Sequence, residues 1–138
     1  MTTYLAIALL FGASQLASAA DPIRRTDALK SSCDTYLAAT DVSGKHHFAN
    51  TNDALAGMNC RAYIGGLEDE MEGELAWPDD THKKVVIGNW QEGVTTDQIV
   101  RVFSDYVDRN PASLNKGANT TLRQSAEAAG LYSYAPAQ

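Results

Sequence analysis

The stretch EGVTTDQIVRVFSDYVDRNP, residues 92–111, has the pattern of one complete helix with both ends marked. Thr95 is followed three residues later by Gln98, the spacing of a capping box, in which each side chain bonds the other residue's free backbone N–H. Asn110-Pro111 ends the pattern, because the residue before a proline avoids the helical region. The apolar residues between these ends recur with the helical period, at Ile99, Val102, Phe103, Tyr106 and Val107.

Two further helices are predicted upstream by the same period. In the first, about Thr26–Thr40, one face carries Leu29, Cys33, Tyr36, Leu37 and Thr40. The loop segment DVSGKHHFANTN separates it from the second, about Asp53–Leu75. The predicted buried face of the second helix carries Cys60, Ile64, Leu67, Met71 and Leu75. The acidic residues of EDEMEGE, residues 68–74, are expected mainly towards water.

Two adjacent glycines, Gly65 and Gly66, interrupt the second predicted helix. Each costs about 1 kcal/mol relative to alanine in a helix interior. Such a pair favours close packing of another helix or of a second subunit against the backbone, and a local kink is the alternative. We interpret the glycines, together with Tyr63 and Leu67, as the candidate contact of a homodimer.

The remaining segments complete an all-α prediction. AWPDDTHKKVVIGNWQEG, residues 76–93, has no helical period and is interpreted as one long connecting loop. A last helix is predicted at about Ala118–Ala129, with Gly130 as its cap, and LYSYAPAQ as a tail whose tyrosines pack back. The sequence thus predicts a small, disulfide-stapled helical domain of about four helices.

The N-terminal segment MTTYLAIALLFGASQLASAAD has the pattern of a secretory signal peptide. Its apolar centre, residues 4–13, is too short to span a bilayer and is followed by small residues. No Lys or Arg precedes it, so a buried N-terminal helix is the alternative. We expect residues 1–20 to be removed after Ala19 or Ala20, leaving residues 21–138 as one periplasmic domain without a membrane anchor.

The two cysteines of the chain, Cys33 and Cys60, are predicted to form a disulfide, since an even count in an exported protein indicates pairing. Closing a loop of that length would stabilise the fold by about 3–4 kcal/mol. Two free buried thiols are the alternative. The net charge of −6 disfavours nucleic acid and anionic membranes as partners, because both need clustered Lys or Arg, and permits a basic protein partner.

No pattern in the sequence indicates catalysis or a cofactor. His46, His47 and His82 lie in predicted loops without the spacing of metal ligands. The acidic cluster lacks the calcium-loop spacing, and neither a phosphate-binding loop nor a nucleophile signature occurs. A disulfide-bonded Cys60 is no nucleophile. We therefore expect a protein that is not an enzyme and has no cofactor.

Three segments together resemble the Rap/Tai family of bacterial immunity proteins. CRAYIGGLED, residues 60–69, is similar to the family's C-x-x-Y-I-x-G-x-x-D segment. GVTTDQIVRVFSDYVDRNP, residues 93–111, is similar to its G-V-T-x-x-Q-hydrophobic-x-x-V segment, which leads into a helix ending in x-P. LRQSAEAAGLY, residues 122–132, is similar to its final helix. The resemblance covers nearly all of the expected mature chain.

The resemblance implies a periplasmic, all-α, commonly dimeric protein that binds and plugs a type VI secretion toxin, for some members a peptidoglycan amidase, without catalysis of its own. This sequence departs from the family in lacking a cysteine shortly before G-V-T, where Asn89-Trp90 stand, and another near the C-terminus. Gln91 stands near the place of the usual proline.

The predicted partner-binding surface is the connection from Trp77 to Glu92, where large aromatic residues stand beside charges, as interface anchors do. The candidate contacts are Trp77, Asp79, Asp80, Trp90, Gln91 and Glu92. The alternative for both tryptophans is that they cover the core. The alternative for the whole protein is a small periplasmic stress or chaperone-like helical protein, which would bind many partners and release them in acid.

Overall fold

The computed structural model describes residues 24–76 and 85–136. Four α-helices make up most of this part, as predicted: α1 (Thr26–Ala38), α2 (Thr51–Met71), α3 (Thr96–Arg109) and α4 (Ala118–Ala128). None of the helices described combines the length and the apolar character that a bilayer span requires. The predicted signal peptide and three of the candidate contacts, Trp77, Asp79 and Asp80, lie outside the described residues.

One large side chain from each helix fills the main core: Leu29 from α1, Ile64 from α2, Phe103 from α3 and Leu122 from α4, all fully buried. The helix of residues 92–111 begins as the sequence predicts. The Gln98 N–H donates to Thr95 Oγ1 (3.3 Å), and the Thr95 N–H donates to Gln98 Oε1 (2.9 Å). Both bonds of the capping box are thus present, and they direct the apolar face of α3 into the core.

The Cys33–Cys60 disulfide joins α1 to α2, which confirms the predicted pairing. Both residues are fully buried, and their Cα atoms lie 5.0 Å apart. The buried Thr26 ties the start of α1 to α4 through a hydrogen bond from its hydroxyl to Thr121 Oγ1 (2.9 Å). The four helices are therefore held by covalent and polar links as well as by apolar packing.

The all-α prediction is wrong in one respect, because the structure also contains a three-stranded antiparallel sheet. Its strands are β1 (Leu75–Ala76), β2 (Val86–Trp90) and β3 (Tyr132–Pro136), in the order β1-β2-β3. β2 lies in the segment predicted to be a long loop, and β3 in the predicted tail. In the register Gly88 pairs with Tyr134 and Trp90 pairs with Tyr132.

The predicted end of α2 at Leu75 is also wrong. The helix ends at Met71, Gly73 turns the chain with φ of +72°, and Leu75 enters β1 with 64 % of its surface exposed. The change of direction is held by the sheet, since the Gly73 N–H donates to the Gly88 carbonyl (2.9 Å) and the Gly88 N–H donates to the Glu74 carbonyl (2.8 Å). Pairing with a strand distant in sequence thus overrides the helical period at residues 72–75.

Candidate functional site

Trp90 lies at the end of β2, where the sheet meets α2. Its indole N–H donates to the Glu68 carbonyl (3.0 Å), and its ring centroid is 5.0 Å from that of Tyr132. The side chain is half-buried and packs against both the main core and a smaller cluster of Met71, Ala126 and Tyr132. This position matches the alternative in which the tryptophan covers the core, and only the exposed part of the ring is available to a partner.

Gln91 and Glu92 follow Trp90 on an exposed turn into α3. The Gln91 N–H donates to the Leu131 carbonyl (2.8 Å), and Gly93 takes a φ of +79°, which favours glycine. Trp90, Gln91 and Glu92 therefore form one hydrogen-bonded corner between the sheet and the N-terminus of α3.

The acidic cluster of residues 68–74 does more than face water. Glu68 Oε2 accepts a hydrogen bond from the Thr96 hydroxyl (2.9 Å), and Glu72 Oε2 accepts one from the Trp90 N–H (3.1 Å). Glu74 forms an ion pair with Arg123 (2.5 Å). Three of the five acidic side chains thus link α2 and its extension to α3, β2 and α4. Glu72 is exposed, as expected, whereas Glu68 and Glu74 are half-buried.

An arginine and two tyrosines close the sheet against α4, and sequence reasoning did not find this cluster. The Arg123 guanidinium lies 5.9 Å from the ring centroid of Tyr132 and 6.0 Å from that of Tyr134, to whose hydroxyl it also donates. The Tyr132 hydroxyl donates to the Met71 carbonyl (3.0 Å). Burial, followed by the bond to Tyr134, raises the pKa of Tyr132 above its ordinary range, so the hydroxyl remains a donor.

The four residues of the candidate dimer contact on α2 do not all face the same way. Tyr63 and Leu67 are half-buried and pack against the main core. Gly65 and Gly66 face open space, because a Cβ atom built at either position meets none of the described atoms within 4 Å. The helix continues through both glycines. No neighbour within the described part of the chain therefore accounts for them.

The outer face of α2 carries exposed apolar residues that the sequence analysis did not single out. Leu55 is 55 % exposed and Met58 is 63 % exposed, two of the four exposed large apolar residues that the described chain contains. Ala62 and the two glycines continue this face at helical spacing. We call these five residues the outer stripe: Leu55, Met58, Ala62, Gly65 and Gly66.

The histidines of the described chain pair with neighbours in the loop between α1 and α2. His46 Nδ1 lies 2.9 Å from Thr40 Oγ1, and His47 Nε2 lies 3.0 Å from Asp41 Oδ2. His82 lies outside the described residues. Across residues 24–76 and 85–136, no three His, Cys, Asp or Glu side chains are grouped so as to hold a metal ion.

Comparison of the chain with protein-family models, with curated proteins and with solved structures finds no match.

Proposed function

We propose that the protein is a periplasmic immunity protein of the Rap/Tai type, which binds a type VI secretion effector and blocks its active site. An effector that degrades the cell wall, such as a peptidoglycan amidase, is the target implied by the resemblance. The protein acts in this proposal by occupying a surface rather than by turning over a substrate.

The proposal is supported by the structural roles of the residues that make up the two motifs. In the first motif Cys60 forms the disulfide and Ile64 is fully buried. In the second motif Gly93 has a positive φ, and Thr95 forms the capping box with Gln98. These residues each meet a demand of the fold, as residues shared through a common fold would, whereas Gly66 of the first motif faces open space. This agreement of motif and role is the observation that carries the proposal.

The effector-binding surface in this proposal remains the connection from Trp77 to Glu92. Within its described part, Gln91 and Glu92 are exposed, and Trp90 holds them in place through its bonds to Glu68 and Glu72. A surface that is already ordered before binding loses less conformational entropy when it meets its partner. The acidic side chain of Glu92 suits a basic cleft.

The dimer in this proposal forms through the outer stripe, which keeps Gly65 and Gly66 of the expected contact and takes Leu55, Met58 and Ala62 in place of Tyr63 and Leu67. The stripe has bulky side chains at one end, Leu55 and Met58, and the two glycines at the other. A two-fold axis at Ala62 with α2 antiparallel to its copy sets Met58 of each copy against Gly66 of the other. The Met58 side chain of each copy then fills the space above the partner's Gly66.

We expect Met58→Glu to weaken self-association by at least about tenfold, because a carboxylate would enter an apolar contact. The side chain is 63 % exposed, so the fold of the single copy should be unaffected. Sedimentation equilibrium over a range of concentrations measures the effect. Leu75→Glu, at an exposed apolar position outside the stripe, is the matched control and should associate as the wild type does. A wild-type protein that stays monomeric at high concentration would contradict the dimer.

The function is tested by co-expression with a small secreted effector encoded by the neighbouring reading frame and directed to the periplasm. We expect the full-length protein to restore growth and a version lacking residues 1–20 to fail, since it would stay in the wrong compartment. The purified proteins should form one tight stoichiometric complex. Continued lysis, or binding to many unfolded proteins with release in acid, would refute the immunity function and favour the chaperone-like alternative.

A further inference from the structure

The loop between α1 and α2 contains a tight turn that is folded around one carboxylate. Asp41 Oδ1 accepts hydrogen bonds from the Ser43 N–H (2.8 Å), the Ser43 hydroxyl (2.7 Å) and the Lys45 N–H (3.0 Å). The Asp41 N–H also donates to the Lys45 carbonyl (2.8 Å). Gly44 provides the positive φ of +80° that closes the turn. We call residues 41–47 the Asp41 turn.

The carboxylate of Asp41 remains ionised in this setting. The hydrogen bonds from Ser43, then from the Lys45 backbone and from His47, hold the pKa of Asp41 well below its usual range. The turn is therefore stabilised by the same charged acceptor throughout the pH range in which proteins normally work.

The base of the Asp41 turn is anchored to the core. The His47 N–H donates to the Ala39 carbonyl (2.7 Å) at the end of α1. The centroid of the His46 ring lies 4.3 Å from the centroid of the ring of the buried Tyr36. The base of the turn is thus fixed to α1 by a hydrogen bond and a ring contact, and the rest of the turn projects from the helical domain.

The apex of this supported turn is apolar. Val42 is the most exposed of the large apolar residues described, and its side chain is fully open to solvent. Valine has few χ1 rotamers, so its side chain loses little conformational entropy when it is buried by a partner. A single exposed valine needs no explanation by itself.

A hollow of about 290 Å³ adjoins the apex, lined by Leu37, Thr40 and Arg101 together with Asp41 and Val42. Neither the Arg101 guanidinium nor the Lys45 ammonium has a hydrogen-bond or ion-pair partner among the described residues. The Asp41 carboxylate beside them is already engaged by Ser43, by the Lys45 backbone N–H and by His47, so both cations can pair with the carboxylates of an acidic partner.

We propose that the Asp41 turn is a second contact of the protein with its effector, in which Val42 enters an apolar pocket whose rim carries carboxylates. The inference rests on the proposed inhibitory function. It extends that function to the loop before α2, whereas the Trp77–Glu92 connection follows α2 in the sequence. Val42 supplies the apolar anchor, and Arg101 and Lys45 face the carboxylates. The rigid turn limits the entropy lost on binding.

Val42→Glu tests the proposal, because it places a carboxylate at the apex without touching the fold. We expect the affinity for the purified effector, measured by calorimetry, to fall at least about 100-fold, as for a central anchor of an interface. The melting temperature should stay that of the wild type. Leu75→Glu, the same change at an exposed apolar position outside the turn, should bind as the wild type does.

Arg101→Gln tests the charge part of the proposal, with Arg109→Gln on the same helix as its control. We expect weaker binding in low salt and a smaller loss of affinity on raising the salt concentration for the first variant only. Tight effector binding that survives Val42→Glu unchanged would overturn this inference and leave the immunity function standing. Absence of effector binding by the wild type would overturn both.

Discussion

Replacing both cysteines, as in Cys33→Ala with Cys60→Ala, lowers the free energy of unfolding by about 3–4 kcal/mol and the melting temperature by roughly 15 °C. The disulfide closes a segment with a sequence separation of 27, and its loss releases that segment in the unfolded chain. It also removes the covalent link between α1 and α2, both of which contribute buried side chains to the main core. Urea unfolding followed by far-ultraviolet circular dichroism measures the loss.

The control for this prediction is the reduced wild type. Reductant should lower the stability of the wild type by about the same amount, since the bond is its target, and should leave the double variant unchanged. A wild type that unfolds at the same urea concentration with and without reductant would show that the bridge contributes nothing.

Gly88→Ala is expected to destabilise the protein by about 3 kcal/mol, although it adds only one methyl group. That methyl would overlap the Tyr132 hydroxyl and lie 3.0 Å from the Met71 carbonyl oxygen. Tyr132 is buried and donates to that same carbonyl, so its ring has no free direction in which to move. Chemical unfolding of the variant measures the loss.

Two companion variants identify the cause of this loss. Gly65→Ala makes the same change where nothing is close, and in dilute solution it should raise stability by about 1 kcal/mol through helix propensity. In a Tyr132→Phe background the additional cost of Gly88→Ala should be smaller, because the overlapping hydroxyl is absent. An equal cost with and without the hydroxyl would place the origin of the effect elsewhere.

The helices could be predicted from the sequence because their signals are local. For α3 the cap, the apolar period and the terminating proline all lie within residues 95–111, and its observed bounds differ little from the predicted ones. The disulfide was equally accessible, since two cysteines allow one intramolecular pairing.

The sheet could not be predicted in this way, because its evidence is divided between distant segments. β2 is short and has Gly88 at its centre, which weakens a strand when considered alone. The reason for this glycine is Tyr132, which β3 contributes after two intervening helices. Tyr132 and Tyr134 alternate as strand residues do, and this was the one local signal in the tail.

For the candidate surfaces, too, residue types could be read from the sequence, but contacts between distant segments could not. Trp90 was singled out for its type, but its bonds to Glu68 and Glu72 depend on how β2 returns to α2. Leu55 and Met58 were available in the sequence as apolar residues opposite the buried face of α2. They were missed because one buried face satisfied the helical pattern, and only the exposure of the second face reveals them.

The pairing of β2 with β3 also determines the order in which the sheet can form during synthesis and folding. β2 can pair with the short β1 as soon as it is made, but its five-residue pairing with β3 forms only after α3 and α4 have followed. Contacts so remote in sequence form late in folding. The sheet therefore reaches its final pairing only when β3 has been synthesised, and a truncation before Tyr132 would leave β2 paired with β1 alone.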